Sequence, residues 1–213
     1  MSTMQSSVWV RFAVTFILLS GLSTYPVIAK YKVKPLQVKA ASEYASHLDF
    51  QNVNIGTWVA DTLEESLELF DEKKLHEKDF LPILIVIQNS NPFPVKVDEA
   101  TIFLIVEDGS RKRTVSFLDV LLAIKLKKPR SNYSSSKEAL AKELAKEEMF
   151  NDFKHKAFGE KVIDPMSSDH GVIFYERPYE EEGDVSNFGL YLPEVFNSSE
   201  GEPLMFFELE LGN

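Results

Sequence analysis

The sequence predicts a mainly β fold, a β-sandwich carrying two or three inserted α-helices. Three features lead there. The run Leu81-Pro82-Ile83-Leu84-Ile85-Val86-Ile87 is short, unbroken and rich in β-branched residues, the pattern of a strand buried on both faces. At the C-terminus, Met205, Phe207, Leu209 and Leu211 alternate with Phe206, Glu208 and Glu210, which makes a strand with one core face and one wet face. Turn formers recur between such runs, at Asn89-Ser90-Asn91-Pro92, Asp108-Gly109 and Asn197 to Glu202, and a helical stretch at about 116–157 interrupts them once.

In chain order, the first element is an export signal over residues 1–29. Arg11 is the first charge, the apolar run Phe12 to Leu19 extends through Leu22, and Val27-Ile28-Ala29 ends on a small residue, so cleavage is expected after Ala29. From Phe12 to Leu22 a helix reaches roughly 17 Å at ~1.5 Å per residue, short of the about 30 Å of a bilayer core. Retention of this segment as a membrane tether is the alternative. Residues 30–213 are then one domain, large enough to bury a full core.

Lys30 to Lys39 is a solvated lead-in or an edge strand, with Lys at 30, 32, 34 and 39. Asp61 to about Leu75 is expected to be one helix: Thr62 and Glu65 stand at capping-box spacing, and Leu63, Leu67 and Phe70 share a face. The apolar strand that follows is entered at Pro82, which cannot donate to a ladder. Phe93 to Val97 resumes an extended pattern. Thr101 to Val106 reads as a second two-sided strand, returned through Asp108-Gly109 to Arg111–Val115. Phe117 to Ile124 is an apolar helix, with Lys125, Lys127 and Lys128 suiting its C-terminus. After a polar loop, Ser135 and Glu138 give a second capping-box spacing for a long helix from about Lys137 to Lys156, packed on the sandwich. Lys161 to Pro165 leads into Ser167–Gly171, read as a turn; Val172–Tyr175 and Gly189–Leu192 are strands, and Arg177–Asn187 is an exposed acidic loop.

The chain has 213 residues, 33 Asp and Glu against 23 Lys and Arg, a formal net charge of -10, four His and no Cys. Without Cys there is no disulfide scaffold, thiolate zinc or iron–sulfur site, cysteine nucleophile or thiol-linked lipid. The acidic balance argues against nucleic acid as a partner. No Gly-x-Ser-x-Gly elbow, P-loop, dinucleotide glycine pattern or EF-hand loop is present in residues 30–213, and His76-Glu77 lacks the second His of a metalloprotease. Ser167-Ser168-Asp169-His170 is the best catalytic candidate, yet triad members converge from separate segments and are not sequence neighbours. His47 with Asp49 is no better, and His155 stands alone. Glu180-Glu181-Glu182 reads as a solvated charge run. Trp58, Phe93, Tyr175, Tyr179 and Tyr191 are weighed as a recognition surface against a core role, with the core favoured. No catalytic, cofactor-binding or metal residue is assigned.

The segment Pro82 to Val106, with Asn89-Ser90-Asn91-Pro92-Phe93, Asp98 and then Asp108-Gly109, resembles the first hairpins of late-embryogenesis-type (LEA14/WHy) β-sandwich domains, whose strand is followed by an Asn-Pro-Asn turn; here the order is Asn-Ser-Asn-Pro. The layout through Val162-Ile163-Asp164-Pro165 and Gly171-Val172-Ile173-Phe174-Tyr175 also resembles uncharacterised exported bacterial proteins. The resemblance implies an immunoglobulin-like fold used for binding or structure. The expected function is therefore that of a non-enzymatic module of the periplasm or cell envelope, without cofactor, whose partner is another envelope protein and which meets a membrane only if the signal is retained. A secreted hydrolase with a spatially assembled carboxylate or Ser/His site is the alternative.

Overall fold

A computed structural model describes residues 31–125, 147–178, 185–204 and 206–212. The expected signal, the loop at 129–136, residues 137–146 of the long helix expected to follow it, and Glu180–Glu182 lie outside the described residues; that helix is not continuous to Lys156, because Glu147 is extended (φ -88°, ψ 143°) and a helix starts afresh at Glu148. The elements run β1 (Ser46–Phe50), β2 (Val53–Val59), α1 (Leu63–Leu69), α2 (Lys74–Glu77), β3 (Phe80–Asn89), β4 (Val95–Asp98), β5 (Phe103–Ile105), β6 (Arg111–Arg113), α3 (Phe117–Lys125), α4 (Glu148–Lys156), β7 (Glu160–Ile163), β8 (Ser167–Glu176), β9 (Phe188–Leu192), β10 (Val195–Asn197), β11 (Glu202–Pro203) and β12 (Phe207–Leu211). The strands form three antiparallel sheets, ordered β1-β2-β3-β8, β11-β10-β4-β7 and β12-β9-β5-β6.

The first sheet is a shared wall between two cores. On one face, Ile55, Ile83, Ile85 and Ile173 meet Val95 and Val195 of the second sheet and Leu104, Leu190 and Leu209 of the third. On the other, Leu84, Val86 and Phe174 meet Leu69, Leu75, Leu121 and Phe153 from the helical layer. The result is a β-sandwich-like fold with helices packed outside it. It also explains the unbroken apolar run: even and odd residues of β3 enter different cores, and Ile83 to Ile87 are all at most 3% exposed. Pro82 lies inside β3 rather than at its entrance. It is tolerated where β2 ends, and its carbonyl accepts from the Ala60 N–H at 3.0 Å. Ser46 Oγ donates to the Gly212 carbonyl at 3.0 Å and ties β1 to the end of β12.

Several expectations change. The capping box forms, with the Glu65 N–H donating to Thr62 Oγ1 at 3.2 Å and the Thr62 N–H to Glu65 Oε2 at 2.9 Å. The single helix expected over 61–75, however, is two. Phe70 leaves the helical path with φ -138° and ψ 137° and is fully buried, stacked on Phe153 at 4.0 Å. The inward face is Ser66 and Leu69, while Leu63 is 38% exposed. Ser167–Gly171 is not a turn but the start of β8, because β3 pairs along its whole length, from Phe80 with Glu176 to Asn89 with Ser167. The turn sits earlier, at Met166, whose φ is 56°. Thr101–Val106 is not buried on both faces: β5 is three residues long, Leu104 is buried, and Phe103 and Ile105 are half-buried on the outer face. Residues 31–40 form no strand; they run as a strap over the helical layer. No helix among the described residues is long and apolar enough to cross a membrane.

Candidate functional site

The Asn-Ser-Asn-Pro turn joins three chain reversals. Asn89 is fully buried at the end of β3. Its Nδ2 donates toward the carbonyls of Phe93 (2.8 Å), Ile163 (3.1 Å) and Asp164 (3.2 Å), and its Oδ1 accepts from the Asn91 N–H at 2.9 Å. Asn91 Nδ2 in turn donates to the Gln51 carbonyl at 3.0 Å. Two asparagines thus hold together the ends of the β1–β2, β3–β4 and β7–β8 connections. The motif that carried the resemblance acts in positioning these loops.

A second polar group lies under the strap. Asp152 and Lys156 face one way on α4, four residues apart, and both are buried. Lys156 Nζ donates to Asp152 Oδ2 at 2.9 Å and to the Leu69 carbonyl at 2.7 Å, and sits 5.0 Å from the centroid of the Phe70 ring. The Tyr31 hydroxyl donates to the same carboxylate oxygen at 2.5 Å. Burial lowers the Lys156 pKa, opposed by Asp152. Burial, then the hydrogen bond and charge of Asp152, raise that of Tyr31. Beside this group is an open cleft of about 450 Å³ lined by Lys34, Glu148, Asn151, His155, Lys156 and His170, among others. Lys34 Nζ reaches the Leu67 carbonyl. The cleft brings together two of the four scattered histidines, both exposed, but its lining offers no hydroxyl or thiol as a nucleophile.

A third group holds β8 to the helical layer. Arg177 Nη2 donates to the Asp61 carbonyl at 2.8 Å and meets His76 Nδ1 at 2.8 Å; Nη1 lies 3.4 Å from Asp61 Oδ1, with both side chains at most 5% exposed. None of these three assemblies was expected from the sequence as a cluster. The local signals were the Asn89-Ser90-Asn91-Pro92 turn and the i, i+4 spacing of Asp152 and Lys156, whereas Tyr31 is 121 residues from its partner.

The remaining candidates are separated. His47 and Asp49 lie two positions apart on β1, with His47 Nδ1 at 2.9 Å from the Tyr44 carbonyl. Ser167 Oγ donates to the Asp164 carbonyl at 2.8 Å, and Asp169 pairs with Lys161 at 3.1 Å. They do not converge with His170 into a triad. Tyr175 is a core residue whose hydroxyl donates to the Ile102 carbonyl at 3.3 Å. Trp58 and Phe93 pack, partly buried, against the helix-side and sandwich cores. Tyr179 lies outside the described residues.

Tyr191 differs. It stands half-buried on the outer face of the third sheet, in a row with Glu208, Phe103 and Arg113 across the strands. The Arg111 guanidinium lies over its ring at 4.3 Å, and Phe206, 52% exposed, leans on it at 5.8 Å. Arg111, Lys112 and Arg113 are all exposed on β6, the last strand of that sheet. Among the described residues none of the three is in an ion pair.

No family model and no curated protein matches the chain. Among solved structures it is similar to the yjhA protein from Bacillus subtilis, at 10% identity over 79% of this chain and 97% of that one, with a TM-score of 0.42.

Proposed function

We propose that the chain is an exported cell-envelope protein, a non-enzymatic β-sandwich module of binding or structural role that acts by protein contact in the periplasm or outside the cell. Export is supported by the N-terminal apolar run ending at Ala29. The kinship with immunoglobulin-like, late-embryogenesis-type domains belongs to this reading and is supported by Asn89-Ser90-Asn91-Pro92 at the β3–β4 turn.

The observation that carries the contact role is the β6 edge. In a protein of net charge -10, three consecutive cations stand exposed on an edge strand, one of them stacked on Tyr191. Arg and Tyr together are the composition of interface anchors. The buried polar groups, by contrast, bind parts of the chain to each other.

Two measurements test this. Mass spectrometry of the protein recovered from the envelope fraction should find Lys30 at the N-terminus; an unprocessed chain in the cytosol would defeat export. A photo-crosslinking amino acid placed along the surface should trap a discrete envelope protein, whereas absence of any specific adduct at every face defeats the contact role.

A further inference from the structure

β6 is an edge strand with a charge pattern that selects its neighbour. Its one partner within the sheet is β5, paired from Phe103 with Arg113 to Ile105 with Arg111. In an antiparallel pair a strand directs alternate backbone N–H and C=O groups away from its partner; past β6 the Val115 N–H is taken by the Phe174 carbonyl of β8 at 2.7 Å, so the outer side of β6 offers a short template for another strand, bounded by β8 at its Arg113 end and open toward Arg111. Arg111 and Arg113 share the outer face with Phe103 and Ile105, and Lys112 points the other way, level with buried Leu104. An incoming strand would meet cations on both of its faces.

That arrangement discriminates. A second copy brought edge to edge would place Arg-Lys-Arg against Arg-Lys-Arg, and like charges opposite each other are destabilising. A neutral strand would gain the ladder only. An acidic strand gains the ladder and three opposite-charge contacts. Arg111 is also pre-positioned: Tyr191 holds its guanidinium at 4.3 Å and Phe206 braces the ring, so less side-chain freedom is lost on binding. Gly189, which lies opposite Ile105 and two positions from Tyr191 on β9, adds no side chain beside that ring on the outer face.

We infer that the outer edge of β6 is a docking strip for an extended acidic segment of a partner protein, which adds to the third sheet as a further strand. This rests on the contact role proposed above and names the chemistry of the partner. A backbone ladder of this kind supplies affinity while alternating side chains supply selection.

The test uses a displayed library of random linear peptides, selected against the purified full chain. Selection should enrich acidic, β-prone sequences. A synthetic copy of an enriched peptide should bind the Arg111→Glu/Arg113→Glu variant at least about tenfold more weakly by fluorescence anisotropy. It should bind Lys74→Glu/Lys154→Glu, an equal charge change on exposed helical positions, within about twofold of the parent protein. Methylating alternate backbone nitrogens of the peptide should abolish binding, because a strand that cannot donate cannot join the ladder. Tyr191→Ala should weaken binding less than the charge reversal does. The proposal is overturned if nothing acidic is enriched, if the charge reversal at β6 has no more effect than the helical control, or if the methylated peptide binds as well as the parent. Matching thermal midpoints of the variants show that they are folded. A crosslinked envelope partner that maps to another face would overturn this strip and leave the contact role standing.

Discussion

Asn89 shows how one amide can hold a fold. It is fully buried, and every hydrogen bond it makes depends on having both a donor and an acceptor on one side chain. Asn89→Ala strands carbonyls of two loops and should cost about 2–3 kcal/mol. Asn89→Asp is nearly the same shape yet should cost at least as much, because a carboxylate cannot donate and would face the Phe93, Ile163 and Asp164 carbonyls. Urea midpoints decide this; an Asp variant as stable as the parent refutes the assigned orientation of the amide. Tyr31 gives a second residue-level prediction. Its pKa is raised above the ordinary value near 10 by burial and by Asp152, so the folded state favours the protonated phenol. Its contribution is present below about pH 10 and is lost as pH climbs toward the folded-state value. The stability difference between the parent and Tyr31→Phe should be flat through neutral pH and narrow in alkali, read by denaturant unfolding at each pH. Lys156, with its pKa lowered, runs the other way: its desolvation weakens folding at neutral pH and is relieved as pH rises, in both proteins. A gap that stays constant into strong alkali would show that the hydroxyl is not held by Asp152.

At the scale of elements, what could be read in advance depended on whether the burial of a segment was written locally. β12 was legible because each residue has one neighbour that matters: Phe207, Leu209 and Leu211 point inward, Glu208 and Glu210 outward. Phe207→Asp should therefore unfold the protein at much lower temperature, since it places a charge in the core beside Phe50, whose ring is 5.7 Å away. Glu208→Lys should shift the midpoint little; comparable small shifts for both would contradict the alternation. β3 was legible for the same reason, with both faces apolar. The β1–β2 hairpin was not. Ser46, His47 and Asp49 are polar, the turn is Gln51-Asn52 with φ of 50° and 57° rather than an Asn-Gly pair, and Gly56 interrupts the apolar alternation. That glycine is explained only by another segment: a Cβ there would lie 2.2 Å from the carbonyl oxygen of Ala41, in the single 3-10 turn Ala41–Glu43 that follows the strap. The break after α1 is equally non-local, because Phe70 leaves the helix to stack on Phe153, 83 positions along the chain. The site residues follow the same rule. The Asp152–Lys156 spacing is visible on one helix, whereas Tyr31 and the Asp61–His76–Arg177 group are assembled by tertiary packing alone.

For the whole molecule, the consequence of one sheet serving two cores is cooperativity. If the sandwich and the helical layer were separate bodies joined by loops, each would melt at its own midpoint. They share β2, β3 and β8, so a loss of packing on one side removes the wall of the other. Trp58 makes this measurable. It packs against the helix-side core, and the other tryptophan, Trp9, lies in the segment expected to be removed. Leu209 is 4% exposed and belongs to the sandwich core, on the far side of the first sheet. Leu209→Ala should cost about 2–5 kcal/mol. In the chain that starts at Lys30, Trp58 fluorescence and far-UV dichroism should report that loss as the same drop in midpoint, as a two-state transition requires. A fluorescence transition that stays at the parent midpoint while the dichroism transition moves would mean that the helical layer unfolds independently, and that the first sheet does not couple the cores it separates.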